Sequence, residues 1–174
     1  VYVQVMCPDG RTPDINDGSH MEVAPLIDLY ADLFPENSVF RWVLSGGKEG
    51  TPPQDASIVF PYAGLAALRT GWGEKDTWVF FDGGPFGAGH QHEDKLSVLL
   101  YADGKQLLAE GNRYAYDTSE MRRYVLSTRG HNTARVDGQD QNRRKTYEWK
   151  KEDIAQKSGL EYTLSPACDR VASV

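Results

Sequence analysis

The stretch Leu-Ser-Val-Leu-Leu-Tyr-Ala-Asp-Gly-Lys-Gln-Leu-Leu-Ala-Glu, residues 96–110, contains the strongest fold signal in the chain. Asp103-Gly104 lies between two apolar runs, which is typical of a β-hairpin closed by a two-residue turn. Asp137-Gly138 is a second candidate for such a turn. Short β-rich runs, each bounded by Gly, Pro, Asp or Asn, are predicted at residues 58–60, 64–69, 77–81, 96–101, 106–109 and 133–136. The sequence therefore predicts a body of antiparallel sheets.

One helix is predicted ahead of this β-rich body. Apolar residues recur at helical spacing over residues 23–34, where Pro25 is tolerated in the first turn and Pro35 ends the pattern. Residues 45–55 are rich in Gly, Pro and polar side chains, which is typical of a connection between structural units. We therefore predict a boundary near residue 55.

Composition limits the class of protein. The 174 residues suffice for one cored domain or a domain with an appendage, and 40% hydrophobic with 25% charged residues is ordinary for a globular chain. The net charge of -6 comes from interspersed residues, which does not support nucleic-acid binding. No apolar run approaches the roughly 20 residues of a membrane span. Cys7 and Cys168 leave the redox compartment open.

A candidate functional segment lies at residues 84–97. Its sequence is Gly-Pro-Phe-Gly-Ala-Gly-His-Gln-His-Glu-Asp-Lys-Leu-Ser. Its glycines permit positive φ angles and close approach of a ligand, and they lead directly into His90 and His92. Paired imidazoles can serve as metal ligands, as a general base or as a neutraliser of carboxylate charge. A single histidine is more often a hydrogen-bonded structural residue, but the pair in a glycine-rich loop favours a functional site.

His92, Glu110 and His131 form a chemically sensible zinc ligand set, with water as a fourth ligand. The predicted hairpin register argues against this ligand set, because a two-residue turn at Asp103-Gly104 places Glu110 opposite Ser97 rather than opposite His92. His92 lies five residues before Ser97, over 15 Å away at ~3.3 Å per residue in an extended strand. The metal site therefore requires the histidine loop to fold back before the first strand of the hairpin begins.

The sequence leaves three alternative hypotheses for fold or function open. The His-x-His pair also occurs in cupin barrels, but that motif needs a glutamate where this chain has Leu96 or Ser97. A zinc hydrolase would use the same ligands to activate water and would give saturated products. A noncatalytic carbohydrate-binding sandwich would use a platform of exposed aromatic side chains. The candidates for this platform are Trp72, Trp78, Tyr147 and Trp149.

Four ordered segments resemble the heparinase II/III-like polysaccharide lyases. They are Tyr-Ala-Gly-Leu-Ala-Ala-Leu-Arg-Thr-Gly-Trp-Gly (62–73), Gly-His-Gln-His-Glu-Asp-Lys-Leu-Ser (89–97), Leu-Tyr-Ala-Asp-Gly-Lys-Gln-Leu-Leu-Ala-Glu-Gly (100–111) and Arg-Arg-Tyr-Val-Leu-Ser-Thr-Arg-Gly-His-Asn-Thr (122–133). The resemblance begins near residues 13–18 and fades after Gly138. It implies a mainly β fold: the end of a helical (α/α) toroid over 1–55, followed by an antiparallel β-sandwich, incomplete here, over 56–174.

The resemblance also implies roles for individual residues. His90 corresponds to the family's active-site histidine, and His92 and His131 correspond to ligands of its metal, usually zinc. Glu110 stands where the family usually has aspartate, so the carboxylate is retained with one additional methylene. Tyr116 is the candidate for a catalytic tyrosine that some relatives use.

Further candidates surround these residues. Tyr114 is a candidate substrate-binding residue, and Arg122 and Arg123 are candidates to grip a substrate carboxylate or sulfate. One of the two arginines is expected to pair with an internal acid instead. Asp94 is expected to orient a histidine or to cap the backbone rather than to act on substrate.

The activity that the resemblance implies is β-elimination in a polysaccharide that contains uronic acid, with zinc in a structural role. Heparan sulfate, alginate and chondroitin are all compatible substrates. The implied partners are the acidic polysaccharide and the rest of the toroid domain, a homodimer is left open, and the implied location is periplasmic or secreted. Because the family draws further catalytic residues from the toroid, we expect negligible lyase activity from residues 1–174 alone.

Overall fold

The computed structural model describes residues 1–86, 89–141 and 159–173. A helical N-terminal region leads into an antiparallel sheet. The helices are α1 (Tyr2–Val5), α2 (Val23–Ala31), α3 (Ser38–Leu44) and α4 (Glu120–Leu126), the last followed by a 3-10 turn at Thr128–Gly130. The strands are β1 (Ile58–Phe60), β2 (Leu65–Arg69), β3 (Trp78–Asp82), β4 (Ser97–Ala102), β5 (Lys105–Leu108), β6 (Glu161–Thr163) and β7 (Arg170–Ala172).

Strands β1 to β5 form one antiparallel sheet in which neighbours in sequence are neighbours in space. Strands β6 and β7 pair separately with each other. The mainly β, antiparallel class with a short helical lead-in is therefore confirmed. Among the described residues β1 and β5 are the two edges of an open sheet, so these strands do not close into the barrel that the cupin reading requires.

The predicted hairpin joins β4 to β5. Asp103 and Gly104 have φ angles of 53° and 72°, and Ala102 pairs with Lys105 across them. Positive φ at both central residues is the geometry of the turn that matches the twist of a hairpin, and it is why Asp-Gly suits this position. A β-bulge between Leu100 and Tyr101 then shifts the register by one residue.

Alternate residues of β3 and β4 form the core of the sheet. Trp78 and Phe80 on β3 and Leu99 on β4 are each at most 1% exposed, and they pack with buried Cys7 from the N-terminal segment. This is the period of two that places every second side chain of a strand on one face. The N-terminal segment is thereby packed against the same sheet that carries the histidine loop.

A second hydrophobic cluster joins the helices. Val23 and Ile27 of α2 pack with Val43 of α3. Val3 of α1 and Met6, which follows α1, complete the cluster. Helix α2 confirms the predicted lead-in helix but ends at Ala31, because the next residues form tight turns in which Leu33 and Phe34 donate to carbonyls three residues back. Of the periodic apolar residues, Val23 and Ile27 are buried in this cluster, whereas Tyr30, Leu33 and Phe34 are more than half exposed.

Helices α3 and α4 were not predicted. Each has seven residues, too few for a periodic pattern, and each begins at a capping side chain. Asn37 Oδ1 accepts from the backbone N–H groups of Val39 and Phe40, and Ser119 caps α4 in the same manner. The capping residues were the available sequence signal.

The strand predicted at residues 133–136 is wrong. The Asp137-Gly138 turn does form, with φ angles of 51° and 68°, but it closes only a single bridge between Val136 and Gln139. The preceding residues are held by a loop instead, since Thr133 Oγ1 donates to the carbonyl of Lys95 at 2.5 Å. Tertiary hydrogen bonds here override a short local β preference.

Two further observations concern the whole described chain. Cys7 is buried, Cys168 is exposed, and both are free thiols. No helix within residues 1–86, 89–141 and 159–173 is long and apolar enough to cross a membrane. The domain boundary near residue 55 stays a prediction.

Candidate functional site

The histidine loop begins where β3 ends and returns to the sheet at β4. Asp82 and Ser97 pair across the two strands, and the backbone N–H of Leu96 donates to the carbonyl of Asp82 at 2.6 Å. The N–H of Ser97 donates to the carbonyl of Asp94 at 2.9 Å, which forms a tight turn just before β4. The loop thus folds back before Leu96, as the predicted metal site required.

The two histidines of this loop have opposite environments. The His92 side chain is 1% exposed, whereas that of His90 is 74% exposed. His90 has a φ angle of 58°, in the left-handed region that a residue with a side chain seldom adopts. One imidazole is therefore available to the protein interior and the other to a ligand in solvent.

A single carboxylate, that of Asp17, contacts both histidines. Its Oδ1 lies 2.9 Å from Nε2 of His92, and its Oδ2 lies 3.2 Å from Nδ1 of His90. Arg122 donates to the same carboxylate through both terminal nitrogens, at 2.6 and 2.9 Å. Burial alone raises the pKa of Asp17, but the hydrogen bonds from Arg122 and the two histidines outweigh it and hold that pKa below its ordinary range.

Glu110 and His131 form a second buried pair behind His92. Glu110 Oε2 contacts Nδ1 of His131, while its Oε1 accepts from Ser97 Oγ at 2.5 Å and from the N–H of Asn132 at 3.3 Å. Burial lowers the pKa of His131, but the hydrogen bond and negative charge of Glu110 raise it above its usual value. Glu110 does contact Ser97, although the bulge between Leu100 and Tyr101 shifts by one residue the hairpin register from which this contact was predicted.

The interior between these pairs presents an unpaired donor set. Nδ1 of His92 and Nε2 of His131 are buried and have no hydrogen-bond partner, and the two rings lie 5.2 Å apart. His92, Asp94 and His131 each offer one ligand atom to a group in which all three atoms lie within 4.8 Å of one another, and the two unpaired nitrogens are the ring atoms left available for it. Two imidazole nitrogens and one carboxylate oxygen with an open position suit zinc. The residues therefore fit a metal ion.

Burial shifts the pKa values of the ionisable groups around this donor set. Burial is the main cause that raises the pKa of Asp94. Asp82, also buried, has its pKa raised to about 7 by burial and by the charge of Asp94. Burial lowers the pKa of His92, which keeps its ring neutral and able to bind a metal. A bound cation would offset the accumulated negative charge of these carboxylates.

The predicted ligand Glu110 lies outside this donor set and contacts Nδ1 of His131, the ring nitrogen other than the unpaired Nε2. Glu110 is not a member of the group that the structure brings within 4.8 Å. Its carboxylate is placed to orient the His131 ring, as an outer hydrogen-bond partner of a metal ligand does. Sequence spacing could not separate these two positions.

The predicted catalytic pair, His90 and Tyr116, is brought together at the surface. Tyr116 Oη lies 3.1 Å from Nδ1 of His90, and the tyrosine is 64% exposed. Tyr114 is also exposed, at 58%, and has a φ angle of 58°. Arg113 and Arg122 both lie near the Tyr116 ring, at 5.8 and 5.2 Å from its centre. The arrangement provides an imidazole and a phenol side by side, next to positive charge.

The two candidate arginines differ in burial and in hydrogen-bond partners. Arg122 is buried, and its guanidinium is occupied by Asp17 and by the carbonyl of Arg113 at 2.7 Å. Arg123 is exposed and donates to the carbonyl of Thr118 at 2.5 Å. The expectation that one of the pair binds an internal acid is confirmed for Arg122.

The aromatic platform of the carbohydrate-binding alternative does not assemble in the described residues. Trp78 is 1% exposed and belongs to the core, so its assignment to a platform is wrong. Trp72 packs edge to face on Trp42 and beneath the guanidinium of Arg69, 4.1 Å from the ring centre. Tyr147 and Trp149 lie outside the described residues.

Comparison with protein families and curated proteins identifies related sequences. The family model described as Heparinase II/III-like, C-terminal, matches residues 52–167. A heparin-sulfate lyase from Bacteroides stercoris is 27% identical over 160 residues, which are 87% of this chain and 24% of that protein. A heparin-sulfate lyase from Pedobacter heparinus is 25% identical over 146 residues, 79% of this chain and 22% of that protein.

Comparison with solved structures gives the same result for the fold. A heparinase III superposes with a TM-score of 0.73 at 27% identity, over 80% of this chain and 23% of that protein. Its similarity agrees with the mainly β architecture described above. The chain spans about a quarter of the length of the curated relatives that it matches.

Proposed function

Since the chain belongs to the heparinase II/III-like family, we propose that it forms part of a lyase that cleaves uronic-acid-containing polysaccharide by β-elimination. The observation that carries the proposal is the exposed imidazole of His90 beside the Tyr116 phenol, 3.1 Å away, over a buried group able to bind a metal. The names of both curated relatives, heparin-sulfate lyases, favour a glycosaminoglycan substrate.

The chemistry requires three events at the substrate. The proton on the carbon next to the uronate carboxylate leaves, the carbon–oxygen bond to the next sugar breaks as a carbon–carbon double bond forms, and the leaving oxygen receives a proton. Histidine and tyrosine have suitable pKa values for such transfers. We assign proton exchange with the substrate to His90 and Tyr116, because their side chains are the exposed members of the site.

We assign the metal to His92 Nδ1, His131 Nε2 and Asp94, with zinc as the ion that best suits these donors. When bound, the ion supplies positive charge that holds the histidine loop against the sheet. In this proposal Asp94 takes the ligand position predicted for Glu110, and Glu110 orients His131. The ion thereby acts on structure, and the proton transfers are left to His90 and Tyr116.

We assign substrate binding to two exposed side chains that neighbour Tyr116 and Arg122 in sequence. Arg123 offers a guanidinium that can bind carboxylate or sulfate in a bidentate manner, and Tyr114 offers a ring for stacking on a sugar. Arg122, which the sequence also suggested for this role, is assigned to Asp17 instead because its donors are occupied.

The complete site requires residues from outside this chain. The matches cover about a quarter of each relative, so we propose that the helical toroid of the parent enzyme is the partner that completes the substrate cleft. Residues 1–174 alone are expected to have negligible activity. A periplasmic or secreted location, which the family resemblance implies, is part of the proposal.

The test uses the encoded full-length protein with heparan sulfate, chondroitin and alginate as separate substrates. Elimination leaves an unsaturated uronate, which absorbs in the ultraviolet, whereas hydrolysis leaves a saturated product. We expect unsaturated product from at least one polymer and its loss in His90→Ala, with Tyr62→Ala as the control because Tyr62 is 73% exposed and distant in sequence from the loop. Saturated products, or equal turnover by His90→Ala, would overturn the proposal.

A further inference from the structure

We propose that Asp17 is a positioning residue shared by the two parts of the site: one carboxylate fixes the ring orientation and tautomer of both His90 and His92. The inference rests on the proposed function in one respect, namely that His90 exchanges protons with substrate. Asp17 belongs to the N-terminal segment, far in sequence from the loop that it contacts. The side chain is 3% exposed, so its bonds are shielded from water.

The tautomers follow from the chemistry of a carboxylate. An ionised carboxylate only accepts hydrogen bonds, and Arg122 keeps Asp17 ionised by binding both of its oxygens. Each histidine nitrogen that faces Asp17 therefore carries the proton. His92 donates from Nε2 and His90 donates from Nδ1. Asp17 consequently holds the two imidazoles in opposite tautomers.

Each tautomer suits a different task. With its proton on Nε2, His92 leaves its buried and unpaired Nδ1 unprotonated, which is the form that could bind a metal ion together with Asp94 and His131. With its proton on Nδ1, His90 leaves Nε2 unprotonated on a ring that is 74% exposed. That nitrogen can accept a proton from a bound ligand. The same carboxylate thus prepares one ring for the metal and the other for proton transfer.

The backbone of the same segment holds the loop in place. The N–H of Asp17 donates to the carbonyl of His90 at 3.1 Å, and Oδ1 of Asn16 accepts from the N–H of His92 at 3.0 Å. His90 is in the left-handed region, an arrangement that costs energy unless its surroundings enforce it. The two hydrogen bonds supply that enforcement at both ends of the His-Gln-His segment.

The wild-type protein provides the first test. The full-length protein is labelled with ¹⁵N at histidine and loaded with zinc, and the nitrogen chemical shifts of both rings are recorded. We expect Nδ1–H at His90 and Nε2–H at His92. Because an imidazole free in water prefers Nε2–H, Nδ1–H on the exposed ring requires an acceptor at that nitrogen. Tyr116 Oη is also near it, at 3.1 Å, so loss of Nδ1–H in Asp17→Asn, where the phenol is retained, assigns the effect to the carboxylate. Nε2–H at His90, or Nδ1–H at His92, overturns the proposal.

The variant Asp17→Asn extends this test. Its amide can no longer accept from both histidines and Arg122, so we expect His90 to revert to Nε2–H and zinc affinity to fall on the order of 10–100-fold, as for other outer partners of ligand histidines. Asp14→Asn is the matched control: Asp14 is a buried acid of the same segment, and its side-chain hydrogen bond is to Asn112 rather than to either histidine. Unchanged tautomers and zinc affinity in folded Asp17→Asn refute the role.

A second variant separates positioning from general support of the fold. In Arg122→Lys the Asp17 carboxylate remains, so both tautomers should persist even where the melting temperature falls. A tautomer change in Arg122→Lys equal to that in Asp17→Asn would contradict the proposal. None of these tautomer or zinc-affinity measurements uses substrate. A protein with the expected tautomers but no activity on any uronate polymer would therefore refute the proposed function and leave the role of Asp17 intact.

Discussion

Replacing one carboxylate at a time should reveal which acid binds the metal. Asp94→Asn and Glu110→Gln each remove one negative charge at nearly constant size. Asp94 belongs to the group with His92 and His131 whose ligand atoms lie within 4.8 Å of one another, whereas Glu110 is outside that group and contacts Nδ1 of His131 rather than the unpaired Nε2. We therefore expect Asp94→Asn to weaken zinc binding more than Glu110→Gln does.

The size of the Glu110→Gln effect follows from its hydrogen bonds. The amide oxygen can still accept from Ser97 and Asn132, but the amide N–H₂ replaces the oxygen that faces Nδ1 of His131. One charge-assisted hydrogen bond is lost, which is worth about 1.5–3 kcal/mol. At about 1.4 kcal/mol per factor of ten, this corresponds to roughly a 10–100-fold loss of affinity. Asp94→Asn should exceed this range because a direct donor loses its charge.

The assay is competition for zinc with a chromophoric chelator at fixed pH, on the full-length protein. Asp82→Asn serves as the control, because Asp82 is a buried acid of the same interior that is absent from the donor set. It should lose less affinity than either of the other variants. A larger loss for Glu110→Gln than for Asp94→Asn would refute the structural assignment and restore the ligand set predicted from spacing.

Three further predictions concern stability and are measured by chemical denaturation. Leu99→Ala should cost about 2–5 kcal/mol because Leu99 is fully buried, while Leu107→Ala, 56% exposed, should stay within about 0.5 kcal/mol of wild type. Ser119→Ala should cost about 0.5–2 kcal/mol, since its hydroxyl caps α4 by accepting from the N–H of Arg122. Folding lowers the pKa of Asp17 below its ordinary value of 3.8. The ionised carboxylate therefore stabilises the folded protein above pH 3.8, and this stabilisation is lost as the pH falls from 3.8 through the lower folded-state pKa. Asp17→Asn should flatten that acid-induced loss; equal slopes would contradict it.

The sheet was predictable because its signals are local. Strands β1 and β2 lie within one residue of their predicted bounds, and the Asp103-Gly104 turn fixes the β4–β5 hairpin through its own φ angles. Helices α3 and α4 escaped prediction because seven residues give fewer than two full turns of periodicity. The order of the strands follows the order of the sequence, so local hairpin signals were sufficient for the topology.

The site was predictable only in part because its contacts are distant in sequence. His90, His92 and His131 were identified from glycine density and residue type, and the histidine loop folds back as the ligand geometry demanded. Asp17, the positioning residue proposed here, was missed because it is 75 positions from His92 and 105 from Arg122, and no local pattern reports such a contact. The Asn-Asp-Gly turn at residues 16–18 was the available signal, since Asn16 has a φ angle of 53°.

The different roles assigned to His90 and His92 depend on the backbone between strand and loop. In an extended strand, residues two apart point to the same face, so His-x-His would present two equivalent rings. Here the left-handed conformation of His90 breaks that alternation and leaves one ring 74% and the other 1% exposed. Because Asp17 accepts from both rings, the exposed and buried imidazoles stay linked through a single charge. A substitution at His92 is therefore expected to alter the tautomer of His90 through Asp17, the acceptor that the two rings share.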